Sequence, residues 1–215
     1  MASQIDYIAK ILTNEFLWIN KEMEFEVNVA KSIKEEPYSS YLKEVFADLG
    51  GLSHDFPINY PLPDLQCEDA FIVFCGALTF NKYRNITLRS EFYEEVSGFP
   101  LQNYRRFCRS NEKQCLAKGA AGDLWSNEKA EYYFGESEER GDLGLKGSAE
   151  WKKRAFEEFL FDVLAKASNK KIVYISIYDV IMINGQLTQL EKLTLSQNEH
   201  STKYLWNYLK RLLDR

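Results

Sequence analysis

The strongest constraint on the fold is a run of mostly β-branched residues late in the chain, between Lys171 and Ile183. β-branched side chains favour extended backbone and pack well on a pleated surface. The next two residues, Asn184-Gly185, favour a two-residue hairpin turn. An earlier run, Ala70–Cys75, is apolar without alternation, which is typical of a strand covered on both faces. The chain therefore needs a sheet.

Helical periodicity surrounds these strands. Apolar residues at spacings of three and four predict five helices, and a capping box opens the last of them. The first helix continues to about Glu35, because Pro37 stops it. The predicted helices begin near Ile5, near Ser39 or Ser40, near Leu101, at Ser148 and at Ser196-Gln197-Asn198-Glu199.

The order of these elements predicts a mixed α/β fold, with a central mixed sheet flanked by helices. We expect one domain over residues 1–215, with a helical part over 1–50 and a sheet-containing core over 55–215. The glycine-rich stretch 119–147 is predicted to be a loop-rich insertion, with a short strand possible at 130–134. Alternation from Phe56 to Leu62, interrupted by prolines, predicts an edge strand.

Composition narrows the class of protein. Hydrophobic residues make up 45% of the chain, so it can bury a core and disorder is not expected. No apolar run approaches the roughly 20 residues of a membrane helix, and the first residues do not resemble a signal peptide. These features favour a cytoplasmic protein whose four cysteines remain thiols. The net charge of −5 does not attract nucleic acid, so a local basic patch would be required.

The residues that most often bind metals form no familiar pattern. Cysteines 67 and 75, like cysteines 108 and 115, are too far apart in sequence for a zinc knuckle, and the four are interpreted as small core hydrophobes. His54 and His200 have no evident catalytic partner. The glycines between 135 and 147 lie among acidic residues that would repel a phosphate. The spacing of these acidic residues matches no calcium loop.

Two basic clusters are candidates for binding nucleic acid or another anion. Four cations, Arg105, Arg106, Arg109 and Lys113, lie on one side of the helix predicted from Leu101. Arginines in this arrangement can pair with phosphates, although a solvated helix face is equally compatible with the pattern. The second cluster, Lys152-Lys153-Arg154, lies in the first turn of the Ser148 helix, where cations oppose the helix dipole.

The middle of the chain resembles a known fold. The apolar strand Phe71–Gly76, the helix Trp151–Leu164 and the β-branched strand Ile172–Tyr178 occur in one order, after an extended stretch. The order resembles the restriction-endonuclease-like fold, of the very-short-patch-repair endonuclease type. The resemblance covers roughly residues 38–183, with a long insertion between Phe80 and Gly147.

The resemblance implies a Mg²⁺-dependent nuclease, but the chain departs from the family pattern. Cys75 occupies the place where the family has an acid at the end of the strand. The nearest candidates for catalysis are Asp64, Glu68 and Asp69, with Lys82 as the nearest lysine. Mg²⁺ is expected only if this nuclease interpretation holds, because the resemblance implies an ion held by two or more carboxylates that activates water.

Two main hypotheses follow, and the sequence leaves open whether the chain is an enzyme. The first is a degenerate restriction-endonuclease-like protein that binds nucleic acid such as DNA. The second is a small acidic protein-interaction module, such as an immunity protein, an antitoxin or an accessory subunit of a defence system. The second predicts an acidic or aromatic surface, with 136–142 as the candidate. An unrelated enzyme is a third possibility, and the oligomeric state does not follow from the sequence.

Overall fold

The computed structural model describes residues 3–15, 19–20, 27–52, 56, 63–67 and 70–214. It is a mixed α/β structure, as the sequence predicts. The helices are α1 (Gln4–Glu15), α2 (Val27–Ser32), α3 (Tyr38–Asp48), α4 (Lys82–Thr87), α5 (Leu101–Gly119), α6 (Glu128–Phe134), α7 (Ala149–Ala167), α8 (Leu190–Ser196) and α9 (Glu199–Leu213). The strands are β1 (Ile19–Asn20), β2 (Leu65–Cys67), β3 (Ala70–Cys75), β4 (Lys171–Ser176), β5 (Val180–Ile183) and β6 (Gln186–Gln189).

The chain forms two compact units, each built from separated segments. Unit 1 contains Met1–Glu24, Leu62–Gly76 and Asn169–Arg215, and unit 2 contains Phe25–Pro61 and Ala77–Ser168. All six strands therefore belong to unit 1, whereas unit 2 is helical in its described part. Whether the units act as the single domain expected from the sequence stays a prediction.

The sheet of unit 1 has the order β1-β2-β3-β4. Its first three strands are antiparallel, and β4 runs parallel to β3, with Cys75 opposite Ser176. A separate hairpin joins β5 to β6 through Asn184-Gly185, both with positive φ, as the sequence predicts. A buried cluster on α1, α8, α9 and the strands forms the core, including Ile8, Leu12, Ile72, Val173, Ile175, Leu205 and Leu209.

Unit 2 packs its helices around α7 with an aromatic core. The ring of Phe92 lies 5.4 Å from that of Phe159 on α7, and Phe80 lies 5.3 Å from Tyr104 on α5, measured between centroids. Cys108 and Cys115 are buried beside these rings on α5, and Cys75 is buried in unit 1. These three thiols are core hydrophobes, as expected, whereas the side chain of Cys67 is outside the described residues.

Two sequence predictions about element boundaries were wrong. Helix α1 ends at Glu15 rather than near Glu35, and Ile19, within the predicted helix, lies in β1 opposite Cys67. The continuous strand predicted from Lys171 to Ile183 is two strands, β4 and β5. Its turn forms because the carboxylate of Asp179 accepts a hydrogen bond from the Ser176 amide, at 2.8 Å. Local side-chain bonding of this kind competes with strand pairing.

The insertion and the last helix also differ from prediction. Residues 130–134, a possible strand, belong to α6, because the Asn127 side chain caps that helix through the Ala130 amide. The predicted capping box fails because Ser196 ends α8, and Asn198 caps α9 instead. The predicted edge strand from Phe56 to Leu62 lies almost entirely outside the described residues. Within the described residues, no helix has the length and apolarity needed to cross a bilayer.

Candidate functional site

The carboxyl ends of β3 and β4 carry two aspartates. The Asp64 carboxylate accepts a hydrogen bond from the Phe74 amide at 2.7 Å, and Asp179 accepts from the Ser176 amide. Partial desolvation raises the pKa of each carboxyl group, although the Asp64 residue is exposed, and these hydrogen bonds oppose the shift. Asp179 also accepts a hydrogen bond from the Tyr208 hydroxyl at 2.9 Å.

Asp64 and Asp179 lie on opposite sides of the strand pair. The Ile177 amide donates to the Cys75 carbonyl, so it faces β3, and the Ser176 amide before it faces away. Asp64 is on the β2 side of β3, so the two carboxylates are about two strand spacings apart, roughly 10 Å. Ligands of one Mg²⁺ bind at about 2.1 Å from the ion. These two aspartates therefore cannot share a metal ion.

The other predicted acids lie outside the described residues. Glu68 and Asp69 are in the chain between Cys67 and Ala70, which pair at the amino end of β3, whereas Asp64 binds the amide of Phe74 near its carboxyl end. Cys75, at the place of the expected acid, is buried and only 5% exposed. Among the described residues, no group of three His, Cys, Asp or Glu side chains is arranged to hold a metal.

The basic face predicted on α5 is only partly available. Arg105 uses its guanidinium to donate two hydrogen bonds to the Leu88 carbonyl, at 2.7 and 3.1 Å, where α4 ends. This arginine therefore secures α4 to α5. Arg106, Arg109 and Lys113 are exposed, and Arg106 also lies over the Phe107 ring. We call these three exposed cations the α5 basic face.

The basic cluster at the start of α7 separates into three different roles. Lys152 and Lys153 are equally buried, at 9% exposure each. Lys153 forms ion pairs with Glu150 and Glu157, at 3.3 and 3.4 Å, so its charge is compensated. Arg154 is half-buried, and its positive charge, like that of Arg84, opposes the burial that raises the pKa of Glu158. Lys152 has neither an ion pair nor a hydrogen bond among the residues that the structure describes.

Lys82, the predicted catalytic lysine, opens α4 in unit 2, whereas Asp64 belongs to unit 1. Its amino group donates to the carbonyls of Leu143 and Gly144, in the glycine-rich segment. Lys82 therefore holds that segment, which the sequence predicted to be a plain loop. His200, on α9, contacts the ring of Tyr204, and His54 lies outside the described residues.

Sequence reasoning missed a buried ionic cluster centred on Arg84 of α4. This arginine is 2% exposed and pairs with Asp162 at 2.8 Å and Glu158 at 3.2 Å, both on α7. It also donates to the hydroxyls of Thr87 and Tyr93, and the Tyr93 hydroxyl donates to Asp162. Burial raises the pKa of Glu158, and the charge of Arg84 opposes this. One signal was visible: Asp162 stands between Phe161 and Val163 on an otherwise apolar stretch.

The comparison with protein families gives one match. Residues 44–196 match the family of unknown function DUF7255. The chain belongs to this family. The matched range of the DUF7255 protein begins within α3 and ends at the last residue of α8, so it includes the Arg84 cluster and the α5 basic face. Searches of the curated proteins and of the solved structures gave no match.

Proposed function

We propose that this DUF7255 protein binds nucleic acid and has a restriction-endonuclease-like core without the usual metal-binding acid. The parallel pairing of β3 with β4 carries the proposal. A helix, an extended strand, an apolar strand, a long helix with basic residues near its start and a β-branched strand follow one another along the chain. The resemblance noted from the sequence implies this order.

The end of β3 favours binding over cleavage. Cys75 stands where restriction-endonuclease-like nucleases have an acid. Its thiol is buried, since only 5% of the residue is exposed, so it has little access to a substrate. The described carboxylates nearest to this point, on Asp64 and Asp179, are each bonded to a main-chain amide and face different sides. Nuclease chemistry of the usual kind needs carboxylates that converge on one ion.

The α5 basic face supplies the proposed contact with phosphates. Arg106 and Lys113 are seven residues apart, which is about 10 Å along a helix. This length equals about three steps of 3.4 Å along one nucleic-acid strand. Because the whole chain has a net charge of −5, binding depends on this local patch rather than on the overall field.

A second candidate function is protein interaction, which one surface of unit 1 favours. The outer face of the β5–β6 hairpin exposes Val180, Met182 and Leu187, at 51%, 59% and 68%. Met182 and Leu187 are register partners, so their side chains are neighbours on that face. Exposed apolar side chains that adjoin one another often mark a contact surface. The acidic segment 136–142 is partly engaged internally, since Lys146 pairs with Glu136.

The test is the salt dependence of binding to labelled single- and double-stranded DNA, followed by fluorescence anisotropy between about 50 and 200 mM salt. We expect the variant Arg106→Gln/Arg109→Gln/Lys113→Gln to bind more weakly. The magnitude of its negative slope of log K against log salt should decrease by about 2 to 3. The matched control is Lys31→Gln/Lys34→Gln/Lys43→Gln, which removes three exposed lysines from α2 and α3 and their border.

Three outcomes would overturn the proposal. If the wild-type chain does not bind DNA at low salt, or if the control variant loses as much binding as the α5 variant, the α5 basic face is not a nucleic-acid site. If added Mg²⁺ or Mn²⁺ produces cleavage of the same DNA, the protein is an active nuclease. In that case Asp64, Glu68, Asp69 and Lys82 are the first residues to substitute.

A further inference from the structure

Lys152 is a buried lysine that has no compensating anion among the residues that the structure describes. The residue is 9% exposed, and the described chain offers it neither a carboxylate nor a hydrogen-bond acceptor. Its amino group lies over the ring of Tyr83, whose centroid is 6.0 Å from Nζ. Buried lysines are rare unless they are paired. The Lys152 side chain therefore departs from the ordinary pattern of protein interiors.

A second ammonium group lies against the same tyrosine ring. Lys82 Nζ is 4.9 Å from the centroid of the same Tyr83 ring. Burial lowers the pKa of Lys152, and the positive charge of Lys82 lowers it further. The two lysines come from different helices, α4 and α7, so the fold, rather than sequence proximity, brings them together. We call them the lysine pair.

The backbone around the lysine pair is closely packed, which fixes the position of the Tyr83 ring. The Tyr83 hydroxyl accepts a hydrogen bond from the Ser148 amide at 3.1 Å, and a Cβ on Gly147 would lie 1.6 Å from that hydroxyl. Gly147 is therefore required at this position. On another side, a Cβ on Gly50 would come within 3.7 Å of Lys152 Nζ. The main chain thus approaches the amino group closely.

Several N–H groups of the lysine pair remain available as hydrogen-bond donors to a ligand. Lys82 donates to two carbonyls and has a third N–H, whereas the three N–H donors of Lys152 have no acceptor within the described part of the chain. The first amides of α7 are already bonded to side chains and carbonyls, so they are not available to a ligand. Burial raises the pKa of Tyr83, and the charges of Glu112 and Asp142 raise it further, but neither acid forms an ion pair with a described lysine.

We propose that the lysine pair binds a small oxyanion, namely a phosphate group. An anion there would be attracted by two ammonium groups, and it would lie near the positive end of α7. Lysines bind phosphate as point charges, which suits two amino groups that approach from separate helices. The Lys152 residue is 9% exposed, so its side chain is not fully closed off from solvent. This site is independent of the α5 basic face and of the proposed nucleic-acid function.

The experiment measures the thermal midpoint of the full chain as inorganic phosphate is added, with chloride adjusted to keep ionic strength constant. At phosphate ten times above Kd, the folded-to-unfolded ratio rises about 11-fold. For a chain of this size, the midpoint then rises by about 3–5 °C. We expect Lys152→Met and Lys152→Gln to fold without phosphate and to lose this rise. Lys43→Met, which removes an exposed lysine of α3, should retain it.

Two further probes distinguish the sources of the phosphate. A short 5′-phosphorylated oligonucleotide and its 5′-hydroxyl counterpart are compared with inorganic phosphate. A Lys152-dependent rise with either inorganic phosphate or the 5′-phosphorylated strand supports the site and identifies its source. The proposal is overturned if no phosphate probe raises the wild-type midpoint, or if the Lys152 variants respond as the wild type does.

Discussion

The contact between α4 and α7 carries charge at two places, and the two places differ in how that charge is balanced. At one, Arg84 of α4 faces Glu158 and Asp162 of α7 and is compensated by both. At the other, Lys82 and Lys152, from the same two helices, share the ring of Tyr83, and no described carboxylate is bonded to either. The same pair of helices therefore combines a neutralised cluster with an excess of positive charge.

This difference in charge balance suggests that the Arg84 cluster contributes to folding stability and the lysine pair to ligand binding. A buried ion is costly unless it is paired and hydrogen-bonded, so a compensated cluster is damaged when one member is removed. An uncompensated ion costs free energy in the folded state until a ligand neutralises it. Removing the charge of Arg84 and removing the charge of Lys152 should therefore have opposite effects on stability.

The largest expected effect comes from Arg84→Met. The substitution leaves two carboxylates and the Tyr93 hydroxyl without their central partner in a buried place. We expect the free energy of unfolding to fall by about 3–5 kcal/mol, the range for breaking a buried pair from one side. Urea unfolding followed by circular dichroism measures it.

The double variant Arg84→Met/Asp162→Leu is the control for this interpretation. Because it removes one stranded carboxylate together with the arginine, it should lose less stability than the sum of the two single variants. Strict additivity would mean that the two side chains do not interact in the folded protein.

A smaller effect on the free energy of unfolding is expected from two neighbouring lysines, and it should differ between them. Lys153→Met removes a lysine paired with Glu150 and Glu157, and we expect a loss of about 1–3 kcal/mol. Lys152→Met, at equal burial, should be neutral or should stabilise the chain, because it removes a desolvated charge without an anion. Urea unfolding in phosphate-free buffer measures both.

This pair of variants is matched in size, helix and burial, so packing losses largely cancel. Equal losses from the two substitutions would contradict the contrast between the compensated and uncompensated places. A large loss from Lys152→Met alone would mean that its charge already has a partner in the protein.

Local pattern was enough to predict several elements. The apolar run of β3, the Ser148 cap of α7 and the Asn184-Gly185 turn each depend on residues adjacent in sequence, and the structure confirms them. The strand from Lys171 to Ile183 was predicted as one piece, because β-branched content does not reveal that Asp179 turns the chain. Residues 130–134 became helix through a cap at Asn127 that periodicity does not show.

The candidate sites were harder to predict, because their members are distant in sequence. The Arg84 cluster joins positions 74 and 78 residues apart, and the lysine pair joins positions 70 apart. Sequence reasoning did select Lys152, but it grouped the residue with Lys153, which the structure shows to be paired within its own helix. Charge alone marks a residue as cationic, and only the fold decides whether its charge is available.

The smallest expected effect concerns Asp179 in unit 1, where burial raises the pKa of a carboxyl that still binds the Ser176 amide and the Tyr208 hydroxyl. A pKa above the unfolded value means that the folded state binds more protons, so this group lowers stability as pH rises through the folded pKa. Asp179→Asn removes this dependence and keeps an acceptor for one partner. We expect the variant to gain a few tenths of a kcal/mol relative to wild type between pH 4 and pH 7.

Urea unfolding at both pH values measures the difference, with Asp48→Asn on α3 as the control for loss of one surface charge. If the gap between Asp179→Asn and wild type instead moves in favour of wild type as pH rises, the hydrogen bonds to the carboxylate outweigh its burial. Asp179 would then resemble Arg84, as a charge whose partners fully compensate it.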